Sequence, residues 1–307
     1  MTRVDICVCT FQRPGVTQTL ASLMALDVPD GCDARILVID NDVHPSAKAP
    51  VEAFAARAPL PVRYVHCPAG NISIARNGAL HASDARFIAF IDDDEQAEPH
   101  WLAALLKRRA VSGAAVVLGP VEPRFEATAP NWVRRAGLHQ TRPVWREGEI
   151  RTGYTCNVLI DREHPALAGR RFDVRLGQSG GEDTDFFSGA HSAGARIAYA
   201  EDALVTEAVP PERTRFRWLA RRRYRMGQTH AHVLTERLGH PRWTSLPLAA
   251  SKALACGMLA LATLPIAHRR NVALLRATLH MGVVAGLVGH RGLRLYGFAK
   301  PASGAAE

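Results

Sequence analysis

Short apolar runs recur along the first 95 residues, separated by helix-length amphipathic segments. Residues 4–9, 35–39, 62–66 and 87–91 read as buried strands, bounded and rich in β-branched side chains. Residues 16–26, 47–57 and 71–82 read as helices. The first follows the turn Arg13-Pro14-Gly15 and the third opens at Gly70-Asn71. This alternation with short links predicts an α/β fold, a doubly wound and mostly parallel sheet flanked by helices. Right-handed crossovers then bring the ends of the first, second and fourth strands to one rim, where open α/β sheets bind ligands.

Downstream, a helix over 100–111 follows Pro99, and strands are expected at 114–118 and 155–160. Residues 120–152, with Trp132, Trp145 and several prolines, read as an irregular binding loop. Gly180-Gly181-Glu182-Asp183 opens a helix to about residue 193, and 196–199 reads as the last short strand. Beyond Pro210-Pro211 the character changes. Seven arginines from Arg213 to Arg225 are interleaved with Phe216, Trp218 and Tyr224, and apolar segments follow at 246–267 and 272–288. The pattern divides the chain into residues 1–230, an α/β domain, and 231–307, apolar and basic helices.

Charge sharpens that division. Residues 1–212 carry 22 Lys/Arg against 27 Asp/Glu, whereas 213–307 carry 16 against 2. So basic a C-terminal region points to a polyanionic surface, lipid or nucleic acid, and no recognised nucleic-acid module surrounds the arginines. The six cysteines show no metal-type spacing and read as reduced core residues. The opening residues lead straight into a strand, so no secretory signal is expected.

Chemistry concentrates at strand and helix ends. Asp92-Asp93-Asp94-Glu95 closes the fourth strand, and acids this close need compensation. Either a divalent cation supplies it, or the stretch is a solvated acidic loop. Asp40, at the end of the second strand, reads either as an acceptor for ribose or base or as a turn former. The helix start at Asn71, with Arg76 behind it, reads as an anion site or as plain capping by Asn71 or Ser73. Glu182-Asp183 reads as a general base or as acids complementing a helix dipole. Phosphate-loop, dinucleotide and GxSxG motifs are missing.

Taken in order, these segments resemble the family 2 glycosyltransferases, which have the GT-A fold. The resemblance rests on Val4-Asp5-Ile6-Cys7-Val8-Cys9-Thr10-Phe11-Gln12-Arg13-Pro14, Val38-Ile39-Asp40-Asn41-Asp42, Asn71-Ile72-Ser73-Ile74-Ala75-Arg76-Asn77, Phe90-Ile91-Asp92-Asp93-Asp94 and Gly180-Gly181-Glu182-Asp183. The third of these and Val209-Pro210-Pro211-Glu212-Arg213 are similar, more narrowly, to succinoglycan-type exopolysaccharide glucosyltransferases. The resemblance implies an inverting transfer from a nucleotide sugar, UDP-linked by expectation, to a polyprenyl-linked saccharide. It implies nucleotide contacts from Thr10, Phe11, Asp40, Arg76, Asp92 and Asp93, Mn²⁺ or Mg²⁺ at Asp92 and Asp94, and Asp183 as catalytic base. Two departures stand out: Gln12 replaces a commoner Asn, and Thr206-Glu207 occupies the place of a metal-binding His. The processive Gln-x-x-Arg-Trp signature is absent, which implies one sugar per encounter.

A sugar nucleotidyltransferase is the alternative enzyme, but it would show a Gly-rich, Arg-containing loop where Thr10-Phe11-Gln12-Arg13-Pro14 stands. A membrane-docked scaffold with a dead site is the non-enzyme alternative. The basic C-terminal helices are expected to lie on an anionic membrane at the cytoplasmic face of a bacterial inner membrane. Packing on the catalytic domain alone is the competing reading.

Overall fold

The structure, a computed structural model, describes residues 1–237 and 239–290. The last part of the expected 231–307 region, residues 291–307, lies outside them. In chain order the first half runs β1 (Thr2–Thr10), α1 (Val16–Met24), β2 (Cys32–Asp40), α2 (Lys48–Ala55), β3 (Val62–His66), α3 (Ile72–Ala82), β4 (Phe87–Asp92), β5 (Glu95–Ala97) and α4 (Trp101–Ser112). Then come β6 (Val116–Leu118), β7 (Val121–Phe125), α5 (Asn131–Ala136), β8 (Trp145–Arg146), β9 (Glu149–Ile150), β10 (Asn157–Asp161), α6 (Glu182–Ser192), β11 (Ile197–Tyr199) and β12 (Val205–Val209). A 3₁₀ turn (Pro211–Thr214) leads into α7 (Phe216–His232), α8 (Arg242–Ala262) and α9 (Ala267–Leu287).

The described residues form two compact units, one from 1–119 and 145–204, the other from 120–144 and 205–290. The first unit is built on a seven-stranded sheet in the order β11-β6-β10-β4-β1-β2-β3. Pairs β1–β2, β1–β4, β2–β3 and β6–β11 are parallel, while β10 runs antiparallel to both neighbours. The mostly parallel, doubly wound sheet expected from the sequence is therefore present. Side chains alternate across it. Cys7, Leu37, Ile39 and Phe90 share one cluster with Ala75 and Ala79 of α3 and with Phe186 and Phe187 of α6. Ile6, Val8, Ile36 and Val38 are fully buried on the opposite face. All six cysteines are free, Cys7 fully buried among them.

The expected irregular stretch at 120–152 is more ordered than its composition implied. It holds β7, α5 and the β8–β9 hairpin, and the last strand is not 196–199 but β12, which pairs in parallel with β7. Pro123 hides β7 from a pattern reading, because proline removes a ladder donor and demotes a strand.

In the second unit, α7 and α9 run in the same direction in close contact. A Cβ on Gly227 would strike the Leu279 carbonyl, and one on Gly282 the Tyr224 carbonyl. Gly286 meets Ala231 one turn on. Glycine here is a packing residue: nothing larger lets the two backbones approach so nearly. Val133 of α5, Leu219 of α7 and Leu275 of α9 form a buried cluster with Phe125 and Trp132 beside it.

Candidate functional site

Register places the chemistry. Thr10 lies opposite Asp40, and Cys9 opposite Asp92, so the ends of β1, β2 and β4 reach one rim. The chain after β4 turns at once. Glu95, buried, accepts the Asp92 amide at 2.9 Å and so closes that turn. The three aspartates then diverge. Asp93 points inward, accepting the Thr10 hydroxyl at 2.7 Å and pairing with Arg13 Nε at 3.3 Å. Burial raises its pKa, against the opposing pull of Arg13 and Thr10. Asp92 and Asp94 stay accessible, their side chains 43% and 22% exposed. Arg13 Nη1 reaches Asp94 at 3.2 Å. The compensation these acids need thus comes in part from a guanidinium in the turn after β1.

Arg76 supplies a second. It lies on α3, nearly buried, and ion-pairs Glu182 on one side and Asp92 on the other, the latter at 3.8 Å. Burial works to lower its pKa, but Glu182, Asp92 and Asp183 together raise it. The guanidinium therefore stays charged and joins the acidic loop after β4 to the start of α6. Gly180 and Gly181 let the chain enter α6 with φ of +83° and +97°, conformations costly for any other residue. Glu182 is turned inward. Burial raises its pKa against the Arg76 charge, and its Oε2 has no hydrogen-bond partner among the described residues. Asp183 is only half-buried and accepts the Thr184 amide at 2.6 Å. Asp92, Asp183 and Arg76 all act on the Cys156 thiol as well; its pKa is raised first by burial, with further contributions from Glu95, Asp92 and Asp183.

The start of α3 is capped. Asn71 Oδ1 accepts the Ile74 amide at 3.2 Å, the Gly177 carbonyl takes the Ile72 amide, and Ser73 Oγ donates to the Asp173 carbonyl. Capping by Asn71 is thus present, while Arg76 is buried and ion-paired rather than on a solvated face. Asp40 is likewise engaged. Its Oδ1 accepts the Asp42 amide, and its Oδ2 accepts the Ala47 amide and the Tyr64 hydroxyl at 2.9 and 2.8 Å. The carboxylate is fully buried, so a ribose contact would require Tyr64 or the loop at 41–47 to move. Phe11 is half-buried in the turn after β1, and Gln12, held at φ +50°, donates to Asp42 at 3.1 Å.

Three residues matter more than pattern reading implied. Arg13 counted only as part of a turn. Glu182 appeared only beside Asp183, yet it is the buried partner of Arg76. Asn41 accepts the Asn71 amide with its side chain, donates to the Cys67 carbonyl and accepts the Gly70 amide with its main chain. The signal for Arg13 was available: a cluster of acids calls for cations, and arginine is one. Glu207, which stands in the place of the family's metal-binding His, lies in the second unit paired with Arg213 at 2.6 Å.

Residues 5–167 match the family described as glycosyl transferase family 2. The chain is 49% identical over 295 residues to the succinoglycan biosynthesis protein ExoM of Rhizobium meliloti, covering 96% of each chain. It is 26% identical to a glucosyl-dolichyl phosphate glucuronosyltransferase of Haloferax volcanii, over 53% of this chain and 56% of that one. Its fold is similar to that of S. aureus TarS, 16% identical, with a TM-score of 0.52 over 95% of this chain; the chain spans 55% of the TarS chain. TarS 1-349 in complex with UDP-GlcNAc gives a TM-score of 0.53, covering 94% of this chain and 91% of that one. A family pattern over more than half the chain, and a relative this close along nearly all of it, make the chain a glycosyltransferase and a member of glycosyl transferase family 2.

Proposed function

We propose that this glycosyltransferase moves a sugar, with inversion, from a UDP-linked donor to a polyprenyl-linked saccharide in exopolysaccharide assembly. The observation that carries the reading is the ion-pair chain Asp92–Arg76–Glu182, which sets the acidic loop and the half-buried Asp183 around one guanidinium. The names of the relatives support the chemistry: a succinoglycan biosynthesis protein, and a fold neighbour in complex with UDP-GlcNAc.

Asp92 and Asp94 would hold Mg²⁺ or Mn²⁺. The donor set fits: both are accessible carboxylates, the hard oxygen ligands these ions favour. Among the described residues no group of three or more His, Cys, Asp or Glu could hold an ion. That suits a metal completed by donor phosphates, as Mg²⁺ commonly is. When bound, it would neutralise charge on the leaving diphosphate. Asp183 would remove the acceptor hydroxyl proton. Arg76 keeps the two sides in place. Thr10, Phe11 and Asp93 would border the nucleotide, and residues 1–230 would form the catalytic region. The helices of 231–307 would dock on an anionic membrane, at the cytoplasmic face.

Release of free UDP from UDP-sugars, measured with and without Mn²⁺, tests the reading. Metal-dependent release, lost in Asp183→Asn while UDP binding persists, is expected. Full transfer by Asp183→Asn would refute the base assignment. Donor binding indifferent to a chelator would refute the metal.

A further inference from the structure

The second unit carries a helix that is built inside out. Helix α8 buries Ser245, Ala249 and Ala260, and exposes Leu248, Leu254, Met258 and Leu261 at 55, 66, 57 and 67%. A helix on a water-soluble surface does the reverse, hiding leucines and showing polar groups. Small residues toward protein and large apolar residues outward is the arrangement of helices solvated by lipid. Of the most apolar 18-residue window only 11% is buried. At about 1.5 Å per residue, its 21 residues extend about 31 Å.

Length alone would let α8 span a bilayer, but its neighbours oppose this. Ala249 packs with Val283 and Leu287 of α9, and Lys252 lies near His280, so α8 runs antiparallel to α9. The start of α9 is tied down on the same unit: His268 Nδ1 lies 3.4 Å from the Trp132 carbonyl, and Leu275 packs with Val133. The far end of α8 therefore returns to the folded body. Alongside α9 runs α7, with Arg217, Arg221, Arg222, Arg223 and Arg225. A spanning α8 would drag these charges through hydrocarbon, at a cost of several kcal/mol.

We infer that α8 lies in the plane of an anionic bilayer, its outer apolar face in the acyl region and its flanking cations among lipid phosphates. The inference rests on the membrane reading above and adds which face binds and how deeply. Charge complementarity selects the occupant. Arg223 lies near Arg222 and Arg276, and no acid pairs with Arg223, Arg276 or Lys252 among the described residues. Phosphate-bearing lipid satisfies both the apolar face and these cations. A second copy of the same basic surface would meet like charge.

Flotation of the full-length protein with phosphatidylcholine vesicles, with and without phosphatidylglycerol, tests this. The anionic vesicles are expected to bind at least about tenfold more protein, and Leu254→Glu with Met258→Glu to lower that binding about tenfold or more. UDP affinity and UDP release should not change, which separates this test from that of the catalytic reading. Undiminished vesicle binding by the double variant overturns the inference. So does a wild-type dimer that the variant splits without loss of vesicle binding, which would give the face to a second copy. A tag inserted at Pro265 and reachable only from the opposite side of sealed membranes would show a spanning helix and overturn it too.

Discussion

Arg76 shows how a single side chain can tie a site together. It is almost buried and bears a charge, and that is tolerated only because Glu182 and Asp92 flank it. Removing one partner of such a pair leaves the other charge buried and alone. Arg76→Ala is therefore expected to lower stability by about 3–5 kcal/mol, measured by urea unfolding, and to abolish UDP release. Glu182→Gln keeps the shape and is expected to cost less. His139 offers a pH test. It is buried against Phe125 and Trp218, and burial, helped by Arg222, lowers its pKa to about 4. The folded state thus favours neutral imidazole, while the unfolded chain takes up a proton at ordinary histidine pKa. Its contribution is full above about pH 6.5 and is lost as pH falls toward 4. Unfolding measured across that range should show stability declining with acid, less steeply in His139→Phe.

At the scale of elements, two contacts depend on the absence of a side chain. Gly177 packs so closely on the cap of α3 that a Cβ would overlap the Asn71 carboxamide and press on Ser73 Oγ. Gly177→Ala should break that cap, a loss of about 1 kcal/mol or more, and loosen the approach of α3 to the segment before α6. Gly282 meets the Tyr224 carbonyl of α7. Gly282→Leu must separate α7 from α9, and a lower Tm with exposed apolar surface, read by dye binding, is expected. Neither position was distinguished in the sequence. Both glycines sit in unremarkable contexts, and their φ values are ordinary; only the neighbour that folding brings up makes them irreplaceable. By contrast, the cap residue Asn71 and the pair Gly180-Gly181 were legible as a helix start and a turn, because local backbone chemistry dictates them.

For the whole molecule, the proposed metal separates function from folding. Among the described residues no group of three or more His, Cys, Asp or Glu is placed to hold an ion as a structural staple. A chelator is therefore expected to stop UDP release yet leave Tm within about 1 °C, as differential scanning fluorimetry would record; a structural metal would shift it far more. Much of the plan was open to pattern reading. The four strands of the first 95 residues and their parallel pairing follow from apolar runs with helical segments between them, since few topologies satisfy short right-handed links. Strand β7 escaped because Pro123 masks it, and β12 because its partner is β7, some 80 residues away in the chain.

The amino-acid order by itself determined the α/β alternation, the acidic end of β4, the Glu182-Asp183 helix start and the basic, apolar C-terminal helices, because each is written in local periodicity or local charge. Tertiary structure alone decided which acids face outward, that Arg13 and Arg76 neutralise them, that Asp40 is spent on its own loop, and that α8 turns its leucines away from its neighbours. Those outcomes hang on groups distant in the chain meeting at short range, where burial and Coulomb energy, not propensity, choose the arrangement.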